Sequence, residues 1–231
     1  MNTCDIHEIY AKLEGLGSVA FSTVGPNGEV HSRIASPNGC DEEGIYFRTM
    51  DCKPFHRQLK ATGKVTICGI ANQAKLGYDE EGSPIFPASY TLRIIGECRN
   101  VPAEVIIEKA KTNKMLEPAA VDVVKYPAMR DGNWVLHRFK AEVFDFDFGM
   151  EHRDHKLLRT RSSFNGYPYN EAGARIDPDT CIGCGSCMEE CSFKAIEEDG
   201  AVMRVIPSKC DDCGSCRLVC PVDAIAESLP F

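Results

Sequence analysis

The chain has 231 residues, 43% of them hydrophobic and 26% charged, with a formal net charge of −8; that is enough apolar material for one or two buried cores and is ordinary for a globular protein. The acidic balance argues against nucleic acid or an anionic membrane surface as the main partner, and no apolar run approaches the roughly eighteen residues of a membrane span. The start, Met1-Asn2-Thr3-Cys4-Asp5, lacks the basic and apolar regions of a secretory signal, so thirteen cysteines point to thiol chemistry in a reducing cytoplasm rather than to disulfides.

In chain order, Ile6, Ile9, Leu13 and Leu16 recur at helical spacing and predict a helix over 4–16 with Thr3 as N-cap. Strands over 18–24 and 30–36 flank Gly25-Pro26-Asn27-Gly28 and read as a hairpin. A third strand covers 44–50. Pro54 opens a short helix through Lys60, where its missing N–H costs nothing. Strands follow at 65–71 and 89–99, with 72–88 between them rich in glycine, proline and charge and read as a loop. A helix runs from Pro102 to about Met115.

The next strand changes phase. Phe139, Ala141 and Val143 alternate with Arg138, Lys140 and Glu142, and from Phe144 onward Phe144, Phe146 and Phe148 take the opposite parity. One residue of slip exchanges the buried face, which predicts a bend near Val143–Phe144 of the kind that helps strands wrap into a barrel. Residues 1–150 therefore read as a mainly β domain, a small barrel with accessory helices. Residues 151–173 read as a polar linker, with His152 and His155 as solvated members of a charge run. His7, His31, His56 and His137 do not pair at ligand spacing. No glycine-rich dinucleotide or P-loop motif follows a strand.

From Ala174 onward, eleven acidic residues against five basic ones carry most of the net charge. That surface suits a basic partner, or solubility alone. Eight of the thirteen cysteines also lie here, in a repeat: Cys-Ile-Gly-Cys-Gly-Ser-Cys-Met-Glu-Glu-Cys from Cys181 and Cys-Asp-Asp-Cys-Gly-Ser-Cys-Arg-Leu-Val-Cys from Cys210. Each copy is C-x2-C-x2-C-x3-C. Three thiolates on a tight Gly/Ser loop can cap three corners of a cubane, whereas structural zinc usually takes two C-x2-C knuckles. The segment 174–231 resembles bacterial ferredoxins with two [4Fe–4S] clusters, a small α+β fold. By that resemblance the fourth cysteine of each copy serves the opposite cluster. Cys181, Cys184, Cys187 and Cys220 would hold the first, and Cys210, Cys213, Cys216 and Cys191 the second. Cys191-Ser192 departs from the Cys-Pro that the second copy keeps as Cys220-Pro221. The other five thiols, Cys4, Cys40, Cys52, Cys68 and Cys98, read as packing or incidental residues.

In the first half, Arg33 sits on a strand of β-formers, and Tyr46-Phe47-Arg48-Thr49 leads to Lys53 and a helix N-terminus. If those strands are adjacent, cations, a hydroxyl and free backbone N–H groups converge as a phosphate requires; exposed charges at a barrel edge are the other reading. The order of these residues, with Gln58-Leu59 inside the helix and Leu92-Arg93-Ile94-Ile95-Gly96 later, is similar to that of the FMN-binding split-barrel family, the pyridoxamine-5′-phosphate-oxidase-like proteins, over 5–148. The resemblance implies that Arg33 and Lys53 bind the FMN phosphate. Ile34, Ala35, Phe47 and Arg48 would line the isoalloxazine and ribityl chain, with Thr49 on the phosphate side and Thr91 a further contact. It also implies a homodimer. Arg48 stands where tyrosine is common in the oxidases and their substrate-binding tail is absent, so oxidase activity itself is not expected. The joint expectation is an FMN-dependent oxidoreductase whose clusters relay electrons between a redox partner protein and a small-molecule substrate. A flavin reductase or electron-transfer module serving another protein, or a redox-sensing flavin-binding protein, are the alternatives.

Overall fold

In the computed structural model, residues 4–71, 77–78, 80–82, 84–148, 156–168, 173–207 and 209–226 are described. Thr3, His152 and His155 lie outside these residues. The chain folds as two compact units: Met1–Ala71, Thr91–Glu142 and Ser162–Pro168 form the first, and Asn72–Tyr90, Val143–Arg161 and Tyr169–Phe231 the second.

The first unit begins with α1 (Ile6–Leu16), which Asp5 caps by accepting the His7 N–H at 2.9 Å. The cap is thus Asp5 rather than Thr3; a short carboxylate two residues ahead of a free N–H serves the role well. Ile6, Ile9, Tyr10 and Leu13 form its buried face. The expected hairpin is present as β1 (Val19–Val24) and β2 (Val30–Ala35), and β3 (Gly39–Asp41) and β4 (Gly44–Arg48) follow. α2 (Pro54–Thr62) has Lys53 as N-cap and Pro54 at its first position, and it ends on Gly63 in the left-handed conformation at φ 61°.

β5 (Lys64–Ile70), β6 (Gly77–Tyr78) and β7 (Pro84–Val101) come next, so strand structure enters the segment read as a loop. The helix expected to reach Met115 stops early as α3 (Ala103–Ala110), and a second one, α4 (Glu117–Lys125), follows a 3-10 turn. β8 (Asn133–Phe148) is longer than expected, and β9 (Lys156–Phe164) pairs with it. β9 corrects the linker expectation, because nine of those residues are strand.

The strand order is β2-β1-β5-β7-β8-β4-β3. In a flat sheet β1 and β4, four positions apart, would stand about 19 Å from each other at the usual strand spacing. Phe21 on β1 and Phe47 on β4 nevertheless have ring centroids 5.1 Å apart, and Phe55 of α2 lies 6.0 Å from both. The sheet therefore rolls upon itself. Phe21, Ile67 and Ile94, register partners across β1, β5 and β7, are buried, as are Ile45 and Phe47 of β4. Phe139, Ala141 and Val143 are buried as the alternation requires, and the pattern breaks at Val143, where Phe144 and Phe146 become partly exposed.

Close strand approach depends on Gly96. A Cβ there would lie 2.3 Å from the Arg138 carbonyl oxygen and 2.5 Å from Phe139 Cβ. Backbone cannot yield as a side-chain tip can, so Gly96→Ala is expected to cost about 1–3 kcal/mol, the usual range for overpacking. A fall in the urea midpoint of unfolding with an unchanged slope would show it.

In the second unit, β10 (Arg175–Ile176) pairs antiparallel with β13 (Ile225–Ala226), and β11 (Ile196–Asp199) with β12 (Val202–Val205). Two short helices, α5 (Ser186–Glu190) and α6 (Ser215–Leu218), complete this part. Its core is small: Ala174, Cys187, Ile196, Met203, Cys216 and Ile225 are buried together, with Cys181, Cys191 and Cys220 packed against them. Among the described residues no helix is long and apolar enough to cross a membrane.

Candidate functional site

The two cysteine motifs fold alike, position by position. Each runs through a tight turn into a short helix whose N-cap is a left-handed glycine, Gly185 at φ 79° and Gly214 at φ 78°. The third cysteine of each, Cys187 and Cys216, is buried on that helix, while the second, Cys184 and Cys213, is exposed with its Sγ 3.6 Å from a serine hydroxyl, Ser186 or Ser215. The fourth cysteines match as well: Ala195 N–H donates to Cys191 Sγ and Ala224 N–H to Cys220 Sγ, each at 3.3 Å. Three residues beyond them, Lys194 and Asp223 adopt positive φ, 48° and 53°.

Ser192 does not disturb this turn. The N–H of Cys191 reaches the Met188 carbonyl at 3.3 Å, just as that of Cys220 reaches Arg217 at 3.3 Å. Further N–H groups point at sulfur, from Met203 to Cys181 at 3.4 Å and from Asp212 to Cys210 at 3.5 Å. Such bonds favour the thiolate over the thiol, as metal ligation requires. Gly183, at φ 65°, lets the first turn approach the Ala201 carbonyl, where a Cβ would stand 2.3 Å from the oxygen.

Charge is crowded here. Burial, and then the thiolates of Cys210, Cys213, Cys191 and Cys187, push the Cys216 thiol up to about 11. Cys187 is likewise raised by burial, with Cys181 and Cys184 adding to it. Cys216 thus feels two thiols of the other motif, Cys191 and Cys187, alongside its own partners. Among the described residues no group of three His, Cys, Asp or Glu side chains is arranged to hold a single metal ion.

In the first unit the structure assembles part of the expected constellation and separates the rest. Arg33 on β2 is half-buried. Its Nη1 donates to Thr23 Oγ1 at 2.7 Å and to the Phe21 carbonyl at 3.3 Å, Nη2 donates to Gln58 Oε1 at 2.7 Å, and the guanidinium lies 4.3 Å from the Phe55 ring centroid. Among the described residues no carboxylate pairs with it, and desolvation lowers its pKa, so its positive charge is held at a cost. Phe55 is two residues past Lys53, the exposed N-cap of α2, a helix with no acidic residue in its first turn and no side-chain cap. A cation over one side of an uncapped helix start attracts anions.

The neighbours arise differently than expected. β2 and β4 are not adjacent strands; the rolled sheet brings Phe21, the register partner of Arg33, against Phe47. Phe47 itself is in the core with 2% exposure. Arg48 Nη1 instead lies 3.0 Å from Asp122 Oδ2 on α4, an ion pair. Thr49 is buried where its N–H donates to the Gly132 carbonyl at 2.9 Å. Ile34 is 70% exposed and Ala35 partly so, both along β2. Thr91 pairs with Ile70, three positions along β7 from Ile94, which shares the cross-sheet row of Arg33, Phe21 and Ile67.

Sequence reasoning did not foresee Thr23, Gln58 and Phe55 as the partners of Arg33. The signal for Gln58 was present: a polar residue on the apolar face of α2, buried to 6%. Thr23 also lines a largely apolar cavity of about 370 Å³ with Thr62, Val65, Thr66, Ile95 and Tyr167. Of the other thiols, Cys4, Cys40 and Cys98 are buried, as packing residues would be, and Cys52 and Cys68 are exposed.

Residues 174–226 match the 4Fe-4S dicluster domain family. That segment is an iron–sulfur domain. Solved structures similar to the chain include a NimC/NimA family protein from Clostridium acetobutylicum, at 13% identity over 70% of this chain and 95% of that one, with a TM-score of 0.47. Another is a pyridoxamine 5′-phosphate oxidase-related, FMN-binding protein from Nostoc punctiforme, at 12% identity over 71% of this chain and 100% of that one, with a TM-score of 0.42. A heme-binding protein from Mycobacterium smegmatis has 15% identity over 69% of this chain and 59% of that one, with a TM-score of 0.43. No curated protein matches the chain.

Proposed function

We propose that the chain is an FMN-dependent oxidoreductase in which two [4Fe–4S] clusters relay electrons to or from FMN for the reduction of a small-molecule substrate. The observation that carries this reading is the pair of equivalent thiol turns, eight cysteines in one dicluster domain, on the same chain as a β unit with a half-buried guanidinium, paired with no carboxylate among the described residues, beside a helix start. When bound, the clusters supply single-electron transfer and the flavin links it to two-electron chemistry.

The residues divide the work. Cys181, Cys184, Cys187 and Cys220 would hold one cluster and Cys210, Cys213, Cys216 and Cys191 the other, with the N–H groups of Met203, Asp212, Ala195 and Ala224 offsetting the sulfur charge. Arg33 and Lys53 would bind the FMN phosphate, Gln58 and Thr23 fixing the guanidinium. Ile34, on the exposed face of β2, and Ala35, on the face that carries Arg33, would line the ring system. A homodimer, and a redox protein as donor or acceptor, belong to the same proposal.

Anaerobic isolation tests it. Roughly eight iron atoms per chain, with matching acid-labile sulfide, are expected from two cubanes, together with about one FMN. Stoichiometric zinc without broad visible absorption would overturn the cluster half. Haem, or no flavin after reconstitution, would overturn the other.

A further inference from the structure

Arg161 lies on β9, outside both cysteine motifs, and is only 3% exposed. A guanidinium that is buried must be paired and hydrogen-bonded. Here Nη1 donates to the carbonyl oxygens of Pro207 and Cys210, each at 3.0 Å, and Nη2 donates to Asp212 Oδ2 at 3.1 Å. Asp212 adopts a left-handed φ of 59°, and its N–H donates to Cys210 Sγ at 3.5 Å. Two residues back along the same face of β9, Arg159 pairs with Asp211 and lies 4.8 Å from the Phe144 ring centroid. Phe144 in turn stands 6.0 Å from Phe193, two residues after Cys191. β9 thus grips the first turn of the second motif through both of its aspartates.

The first motif has no aspartates at the matching positions. Where the second reads Cys210-Asp211-Asp212-Cys213, the first reads Cys181-Ile182-Gly183-Cys184. Ile182 is 62% exposed and Gly183 lies against the Ala201 carbonyl. The copies agree at the cysteines, the capping glycines and the serines, and they differ at the positions Arg161 and Arg159 engage.

We infer that Arg161 is a positioning residue for Cys210 that raises the reduction potential of the second cluster, through a guanidinium bonded to the Cys210 carbonyl and opposed by Asp212. The inference rests on the ligand assignment proposed above. Reduction adds negative charge to a cluster, and its potential follows net local charge, hydrogen bonds to sulfur and solvent exposure. A buried cation bonded to the Cys210 carbonyl stabilises the reduced state, and the Asp212 carboxylate offsets part of that. The two clusters are thereby made unequal, which gives electron flow a direction within the domain.

The experiment is an anaerobic, EPR-monitored redox titration of the full chain, with iron counted in each variant. Arg161→Gln is expected to lower one of the two potentials by at least about tenfold in the oxidised-to-reduced ratio, ~59 mV for a one-electron couple. Asp212→Asn is expected to move the same couple upward, and Arg161→Lys to leave it near the wild-type value. The couple that moves should be the one lost in Cys213→Ala. Opposite shifts are the deciding feature, since a purely structural role would lower iron content in both variants without moving the couple in two directions. If Arg161→Gln does not retain iron, Asp212→Asn carries the test, and an unmoved or lowered couple in that variant overturns the inference. Unmoved couples in iron-replete variants, or shifts of the same sign, overturn the inference while leaving the cluster reading intact. A wild-type chain without the two clusters overturns both.

Discussion

Cys191→Ala is expected to remove the cluster of the other motif, taking iron from roughly eight atoms per chain to about four. The reason is the ligand assignment proposed above, in which Cys191, ending its own motif beyond α5, serves with Cys210, Cys213 and Cys216. A cubane needs four thiolates at its corners, and the first three of each motif supply only three. Paired variants settle the assignment. If Cys191 serves with Cys213, then Cys191→Ala/Cys213→Ala loses no more iron than either single change, whereas Cys191→Ala/Cys184→Ala loses nearly all of it. The reverse pattern, with Cys191 and Cys184 acting as one unit, would mean that each motif closes its own cluster. Cys220→Ala provides the mirror experiment, and its loss should be indifferent to a second change at Cys184.

The iron–sulfur segment was legible because its chemistry fixes its spacing. A thiolate every third residue leaves the turn little freedom, so Gly185 and Gly214 appear where the backbone must turn left-handed, in both copies of the motif. The hairpin around Gly25–Gly28 and the start of α2 at Pro54 were legible for similar local reasons. What escaped was set by long-range packing. β9 was hidden because two residues it buries are polar, Arg161 and Ser163, so no hydrophobic alternation announces it. α4 exposes Val121 and Val124, at 59% and 70%, which blurs its amphipathic pattern. The surroundings of Arg33 differ from the expected ones. They were expected from neighbouring strands, but β2 lies at the sheet edge, and the convergence comes from the roll that places Phe21, Phe47 and Phe55 together. Sheet curvature is a property of the whole unit and is not written in any one segment of it.

That roll leads to the second large effect. Arg33→Ala is expected to weaken FMN binding by about 1.5–3 kcal/mol, roughly ten- to a hundredfold in Kd, as the loss of a charge-assisted hydrogen bond to phosphate requires. Arg33 carries its charge half-buried, with Thr23 and Gln58 as neutral acceptors and no carboxylate among the described residues. An anion is the partner this arrangement lacks. Lys53→Ala should act in the same direction but less strongly, because Lys53 is exposed and solvent screens it. Riboflavin has no phosphate, so the wild-type chain should bind it far more weakly than FMN, and Arg33→Ala should narrow that difference to the share contributed by Lys53 and the start of α2. Fluorescence quenching titrations of both flavins against the two proteins give all four constants. Gln58→Ala adds a control: it frees Nη2 of the guanidinium without removing charge, so it should reduce FMN affinity less than Arg33→Ala while leaving iron content unchanged. Equal affinity of the wild-type chain for FMN and riboflavin would remove the phosphate from the argument. Arg33 would then be a cation held for the fold alone, and Arg33→Ala would be felt in unfolding rather than in flavin binding.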